Sequence, residues 1–361
     1  MNNESGKQGE MRQALELVSP GTTLREGIEN ILRAKTGGLV VIGDGPDVRS
    51  IVEGGFIIDV EVNEARLYEL AKMDGAIILD ASAERIWRAN TQLQPTKETM
   101  SDETGIRHRV ASRVAAQTSA VVIAISQRRS MISIYKGKTK FILSDIGTLL
   151  AKANQALQTL ERYCHELRKE LDNLSLLEFD DAVLANDVVK IIQRGERVRR
   201  IADELDFYLL QMGDEGPLIQ MQMEELTADI WPEYHNIILD YAKTAAKRSI
   251  NHLETDLANL DDDDLMDKSY LAKLMGFGGS SDVLEKSLTP RGYRILHRVP
   301  RIPTSIVAKI VSYFDENLQN ILNADIATLD EVEGVGTVRS NAIHRSLIRQ
   351  RDYAVFGAGK L

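Results

Sequence analysis

Through the first 150 residues short apolar runs alternate with amphipathic stretches, and beyond that point the strand signal nearly vanishes. The runs LVVI (Leu39–Ile42), AIIL (Ala76–Leu79) and AVVIAI (Ala120–Ile125) are continuously apolar. That is the pattern of strands covered on both faces. Strands are predicted over Gly38–Ile42, Val48–Val52, Ala76–Leu79, Ile86–Ala89, Ala120–Ile125, Met131–Tyr135 and Lys140–Leu143. Helices are predicted over Leu24–Ala34, with Thr22 or Thr23 as N-cap, and over Asn63–Lys72 and Arg107–Thr118. Residues 1–150 therefore read as an α/β domain with a mixed sheet, whose strand order the pattern leaves open.

Residues 151–290 read as an all-α spine. Leu157, Leu160, Cys164, Leu167, Leu171 and Leu174 are spaced 3, 4, 3, 4, 3, a heptad seam on one long helix. The seam suits packing inside a bundle better than a dimeric coiled coil, for which it is short. Further helical stretches cover Phe179–Leu210 and Gln220–His252, with a turn at Gly213–Pro217. The run Asp261–Asp264 reads as a solvated linker or helix start, because no metal-loop spacing or glycine accompanies it. After the loop-like Gly276–Ser281, short helices fill a third segment, residues 291–361.

Composition sharpens this picture at three points. With 43% hydrophobic and 27% charged residues the chain reads as globular, and no apolar run approaches the ~18 residues of a membrane span. The polar start MNNESGKQGE carries no secretory pattern, and the single cysteine, Cys164, cannot form an internal disulfide. Both suit a cytoplasmic protein with Cys164 in its core. The net charge is −10, yet from Arg291 onward there are ten Lys/Arg against seven Asp/Glu. A mildly basic tail on an acidic body suggests that a nucleic-acid contact is local to the tail.

Candidate chemistry lies in the first domain. Asp74-Gly75-Ala76 stands at the entrance to an apolar strand, where a carboxylate beside glycine can approach a ligand closely; a plain turn is the alternative. Arg107-His108-Arg109 opens a predicted helix and would cradle phosphates, or simply be an exposed Arg-rich helix start. Ser126-Gln127-Arg128-Arg129 follows a strand end, a frequent ligand position and also an ordinary basic turn. Gly37, Gly38, Gly54 and Gly55 read as turn and close-packing residues. No Walker motif, GxGxxG, zinc spacing or Ser/His/Asp signature is present. Spacing alone thus reaches an anion site with one metal-ready carboxylate.

Five segments go further: TGGLVVIGD (Thr36–Asp44), LYELAKMDGAIILD (Leu67–Asp80), NTQLQP (Asn90–Pro95), ETGIRHR (Glu103–Arg109) and VIAISQRR (Val122–Arg129). Together they resemble the diadenylate cyclase family. With LTPRGYR (Leu288–Arg294), VPRIP (Val299–Pro303) and VEGVGTVR (Val332–Arg339), the resemblance extends over essentially the whole chain to its DNA-scanning branch. It implies a cyclase domain, a helical spine and a C-terminal helix-hairpin-helix domain. It also implies condensation of two ATP into cyclic di-AMP and two pyrophosphates. Asp74 would bind Mg²⁺ or Mn²⁺ and help activate a ribose 3′-OH, with Gly75 and Ala76 shaping the nucleotide contact. Arg107, His108 and Arg109 would hold the triphosphate, and Ser126 and Arg128 would line the same pocket. Two cyclase domains would face each other in a homo-octamer that is cytoplasmic and nucleoid-associated.

For DNA, Gly334, Val335, Gly336 and Thr337 would form a hairpin whose backbone N–H groups meet a phosphate, with Arg339 and Arg345 adding charge. Branched or junction DNA is the expected partner. Val299–Ile310 reads as a degenerate second hairpin with Pro303 in place of a glycine. One departure from the family is Val110, where a hydroxyl residue usually follows Arg-His-Arg; weakened activity is the expectation. A non-catalytic nucleotide-sensing DNA-binding scaffold and a transferase acting on nucleic-acid ends are the competing readings.

Overall fold

Burial on both faces decides how the first half of the chain folds. The computed structural model describes residues 11–96, 101–127, 131–212, 216–243, 250–280 and 282–357. It divides into two compact units, one of residues 1–155 with 205–220, the other of residues 156–204 with 221–361.

The first unit begins with α1 (residues 11–17) and α2 (Thr23–Arg33), the latter capped by the Thr22 hydroxyl. There follow β1 (Gly38–Ile42), α3 (Pro46–Arg49), β2 (Val52–Glu53), β3 (Phe56–Glu61), α4 (Glu64–Ala71), β4 (Ala76–Leu79) and β5 (Arg85–Leu93). Then come α5 (Ile106–Gln117), β6 (Val121–Ser126), β7 (Met131–Lys136) and β8 (Thr139–Leu143). The sheet order is β2-β5-β4-β1-β6-β7-β8, with β3 paired to β5. Only β1 and β4 run parallel, so the sheet is mixed as expected. Alternate side chains of the central strands enter two separate cores. Val40, Ile42, Ile77, Leu79, Ile123 and Ile125 meet Ile28, Ile31 and Leu67 of α2 and α4. Leu39, Val41, Ile78, Val122 and Ala124 meet Ala111, Val114 and Ala115 of α5.

Two expectations fail here. Val48–Val52 is not a strand: Gly45 caps a helix with Pro at its first position and Asp47 in its first turn, leaving only Val52–Glu53 extended. Its apolar positions, Val48 and Ile51, sit three apart and both turn into the α5-side core. Conversely, β3 was not anticipated. Its outer residues Phe56 and Ile57 are exposed, and pairing with β5 through an irregular register fixes it.

In the second unit the seam is internal. Leu160, Cys164, Leu167, Leu171 and Leu174 are all buried along α6 (Ile146–Phe179). Burial pushes the Cys164 thiol up to about 11, which keeps it an inert core group. Beyond α7 (Ala185–Met212), the single stretch expected over Gln220–His252 is three helices, α8 (Pro217–Thr227), α9 (Ile230–Tyr241) and α10 (Ile250–Ala258). The expected turn lies mostly outside the described residues. Asp261 caps α11 (Asp262–Met266) by accepting from the Asp264 N–H, so the acidic run is a helix start. After α12 (Lys268–Leu274), the chain forms α13 (Tyr293–His297), α14 (Thr304–Tyr313), α15 (Leu318–Asn323), α16 (Ile326–Asp330) and α17 (Gly336–Gly357). The boundary read at residue 290 falls inside this unit.

A buried polar cluster spans that boundary. Arg294 is fully buried and donates to Glu178, to Ser175 Oγ at 2.9 Å and to Glu233 at 3.3 Å. Asp240 accepts the backbone N–H groups of Gly292, Tyr293 and Arg294 at 2.8, 2.6 and 2.9 Å, which caps α13. Tyr241 donates to Glu178 at 2.7 Å.

Removing Arg294 strands Glu178 in the interior, so Arg294→Met should cost about 3–5 kcal/mol in denaturant unfolding. Burial and the neighbouring Glu178 raise the Asp240 carboxyl to about 7, against the pull of the Arg294 and Tyr293 N–H groups and the Arg294 charge. Between its ordinary 3.8 and that value the folded chain keeps a proton the unfolded chain has lost. Stability therefore falls as pH rises through this window. The thermal midpoint should be lower at about pH 8 than at about pH 5, and Asp240→Asn should flatten that difference.

Candidate functional site

The strand directions bring the candidate residues to one end of the sheet. β1 and β4 are parallel and β6 is antiparallel to β1, so the starts of β1 and β4 lie beside the end of β6. Asp74 precedes β4, and Ser126 ends β6. At the β4 entrance Gly75 has φ +137°, and a Cβ there would lie 2.8 Å from the backbone of Asn90. Only glycine fits that turn. Asn90 is itself left-handed (φ 55°), at an irregularity in the β4–β5 pairing, and Thr91 Oγ1 ties the strands by donating to Ala76 O at 3.0 Å.

The third contributor is the start of α5. Its N-cap, Gly105, offers no side-chain hydrogen bond, and no acidic residue occupies the first turn. The helix end therefore presents backbone donors and positive dipole to the cleft. Arg107 reaches across to Asp74, Nη2 to Oδ1 at 3.5 Å, with the Asp74 side chain fully exposed. It also passes close to Gly37 (φ +72°), where a Cβ would meet Nη1 at 2.7 Å. The resulting cleft holds about 650 Å³ and is lined by Asp74, Glu103–His108, Ile125–Gln127 and Met131. That is ample for a nucleotide.

Behind the cleft a relay fixes His108. Tyr135 OH donates to Glu103 Oε1 at 3.0 Å, so its oxygen accepts from His108 Nδ1–H at 2.9 Å. Lys140 Nζ donates to the same carboxylate oxygen at 2.6 Å. Burial raises the Glu103 carboxyl, but the bonds from Lys140 and Tyr135 outweigh it and hold the group below the ordinary carboxylate range. Burial, then Glu103, pushes the Tyr135 phenol well above its ordinary value, so it stays a donor.

Not every candidate lines the cleft. Arg109 donates to the carbonyls of Glu103 at 3.1 Å and Thr104 at 3.3 Å, bracing the loop behind the triphosphate position expected for it. The Ala76 side chain is buried in the α5-side core, so only its backbone belongs to the turn. Arg128 lies outside the described residues. Val110 is not part of the lining; it packs against the α5-side core with Trp87 and Leu93. An apolar residue there has an apolar task.

The C-terminal candidates form a tight turn between α16 and α17. Gly334 (φ 87°) and Gly336 (φ 59°) carry its left-handed conformations. The Val335 side chain is buried among Val332, Ile306 and Ile343, which leaves only its backbone for an outside partner. Thr337 Oγ1 lies 3.5 Å from Asp330, Arg339 donates back to Gly334 O, and Arg345 donates to Asn341 O at 3.2 Å. A second turn joins α13 to α14. There the left-handed residue is Arg301 (φ 65°), and Pro303 is the N-cap of α14.

The family described as DisA bacterial checkpoint controller nucleotide-binding matches residues 25–140, and the DisA linker region matches residues 143–284. The DNA integrity scanning protein DisA of Carboxydothermus hydrogenoformans is 48% identical over 94% of this chain and 96% of its own length. The chain belongs to the DisA family. The DisA proteins of Symbiobacterium thermophilum and Bacillus licheniformis are 47% and 45% identical, over 94% and 97% of this chain.

For this DisA-family chain the sequence missed the support of the cleft. Glu103 lay within a recognised segment but had no assigned task, and Tyr135 and Lys140 are on later strands. Only the pairing of β6, β7 and β8 brings Tyr135 and Lys140 to Glu103, so no local spacing could have joined them to His108. Since Val110 faces the core, Val110→Thr should leave ATP affinity unchanged by isothermal titration. It should lower stability by about 1 kcal/mol in chemical unfolding, the effect of a hydroxyl in an apolar contact.

Proposed function

We propose that this chain is a diadenylate cyclase that joins two ATP molecules into cyclic di-AMP, and that its C-terminal hairpin reports on DNA structure. The observation that carries the reading is the convergence of Asp74, Arg107, His108 and Ser126 on one open cleft. Membership of the DisA family supports the same reading.

ATP brings a triphosphate and a ribose hydroxyl. The triphosphate meets the cationic first turn of α5, where Arg107 and the helix dipole act together. His108 lines the same turn, its ring orientation set by the bond between Nδ1 and Tyr135 OH. Arg109 positions the loop that carries this turn, and Ser126, with Arg128 by family resemblance, steadies the phosphates. Gly75 and the Ala76 backbone bring the chain close to the nucleotide.

The 3′-oxygen of one ATP attacks the α-phosphorus of the other in line. A P–O bond forms, the bond to the α–β bridging oxygen breaks, and pyrophosphate leaves with the electron pair. The hydroxyl proton passes to water in the open cleft. A second identical transfer closes the ring. Such chemistry rests on positioning and charge stabilisation more than on covalent catalysis.

Among the described residues no three His, Cys, Asp or Glu gather into a metal cage. One exposed carboxylate, Asp74, fits Mg²⁺ or Mn²⁺ held mainly by phosphate oxygens and water. When bound, the ion would neutralise phosphate charge and acidify the 3′-OH.

Because one cleft presents one ATP, two copies must face each other, and the family resemblance extends such pairs to a homo-octamer. In the DNA module, the Gly334–Gly336 backbone would meet a phosphate, with Thr337 and Arg345 beside it and Arg339 stiffening the turn. Contacts of this kind favour branched or junction DNA by shape and weaken steeply with salt. A cytoplasmic, nucleoid-associated protein follows from that partner; among the described residues no helix is long and apolar enough to cross a membrane. The nucleotide-sensing scaffold drew its support from Val110, which the core accounts for.

The test incubates the purified chain with ATP and Mg²⁺ or Mn²⁺ and reads products by mass spectrometry. Cyclic di-AMP and pyrophosphate should form, and Asp74→Asn should lower turnover by roughly 100-fold or more. Intact ATP after incubation of an oligomeric protein with either metal would overturn the cyclase reading.

A further inference from the structure

We propose that a cleft between α6 and α7 in the second unit is a separate binding site for a small phosphate-bearing anion, a nucleotide or a polyphosphate. The cleft holds about 410 Å³ and gathers five cations, Arg162, Lys190, Arg194, Arg197 and Lys268. Against them stand two carboxylates, Glu166 and Glu170.

The cluster is poorly neutralised from within. Arg194 meets Glu170 at 3.5 Å, while Glu166 is drawn to Lys169 at 3.3 Å, outside the lining. Lys190 has its nearest carboxylate, Asp187, at 4.0 Å. Lys268 donates to the neutral amide oxygen of Asn186 at 3.3 Å, and Arg197 contacts the Met266 sulfur. In a chain of net charge −10, five cations converging with a single close ion pair among the described residues are an anomaly. Their mutual repulsion is relieved by a bound anion.

The shape favours a small ligand. Four of the five cations are half-buried between helices, and only Arg162 is exposed. A rigid duplex offers its phosphates on a convex surface, whereas a free phosphate chain can enter. Three arginines supply planar forks for phosphate oxygens. Tyr163, with the Arg162 guanidinium 5.8 Å from its ring centre, offers a face on which a base can stack. Gln193 is held on one wall by its bond to Leu265 O at 2.8 Å. The site shares no residue with the Asp74 cleft.

Hydrogen exchange on the full-length chain, titrated with sodium pyrophosphate in EDTA and separately with ATP, tests this. Either probe should slow exchange in segments 162–170 and 190–197. Arg194→Ala with Arg197→Ala should weaken that protection by roughly tenfold or more, and the paired lysine variant, which keeps charge and fold, by less. Unchanged exchange in both segments with both probes would overturn the proposal. So would a folded alanine variant that keeps the parent's protection. Protection by a short DNA duplex and by neither small anion would also overturn it, marking a backbone-phosphate contact instead.

Discussion

The central strands β1, β4 and β6 must be covered on both faces, and the arrangement of the first unit follows from that. Alternate side chains of Leu39–Ile42 enter opposite cores, so helices are needed above and below. Neither face has room for a polar site. Chemistry is confined to strand ends, and the antiparallel seating of β6 against β1 puts three chemically useful chain segments at the same end. The exposed Asp74 and the half-buried Arg107 stand on a buried scaffold, which fixes their backbone positions before a ligand binds.

Charge is handled in opposite ways in the two units. At the Asp74 cleft the cationic helix start is left uncapped, and the ionised Glu103 is set behind it, reaching His108 only through Tyr135. That arrangement keeps positive charge available to a ligand. Around Arg294 the reverse holds: Glu178, Glu233 and Ser175 accept from a fully buried guanidinium, and Tyr241 donates to Glu178. Such a cluster adds little net stability but is costly to disrupt, so it fixes one arrangement of α6, α9 and α13. The α6–α7 cleft resembles the first case, with cations left unanswered.

Much of this was legible in the residues themselves. β1 and β4 begin and end where their apolar runs do, and Thr22 caps α2 as its side chain suggests. The heptad seam of α6 faces inward because its period is helical and its residues are apolar. Asp74, Arg107, His108 and Ser126 were each identifiable by type and position. The errors have two causes. Val48–Val52 is β-branched enough to look like a strand, yet Gly45-Pro46 starts a helix there. β3 has exposed apolar residues and is a strand only because β5 accepts it.

The sequence by itself determined the local periods, the caps, the glycine turn at Gly75 and the residue types available for phosphate and metal. These depend on neighbours within a few positions, where backbone sterics and hydrophobic spacing act. Tertiary structure alone decided the rest. It turned Arg109 and Val110 away from the cleft, placed Glu103, Tyr135 and Lys140 behind His108, and buried Val335 beneath its own hairpin. A helix sends consecutive residues in directions about 100° apart. Which direction meets a ligand, a loop or a core depends on strands distant in sequence, and no local pattern records that.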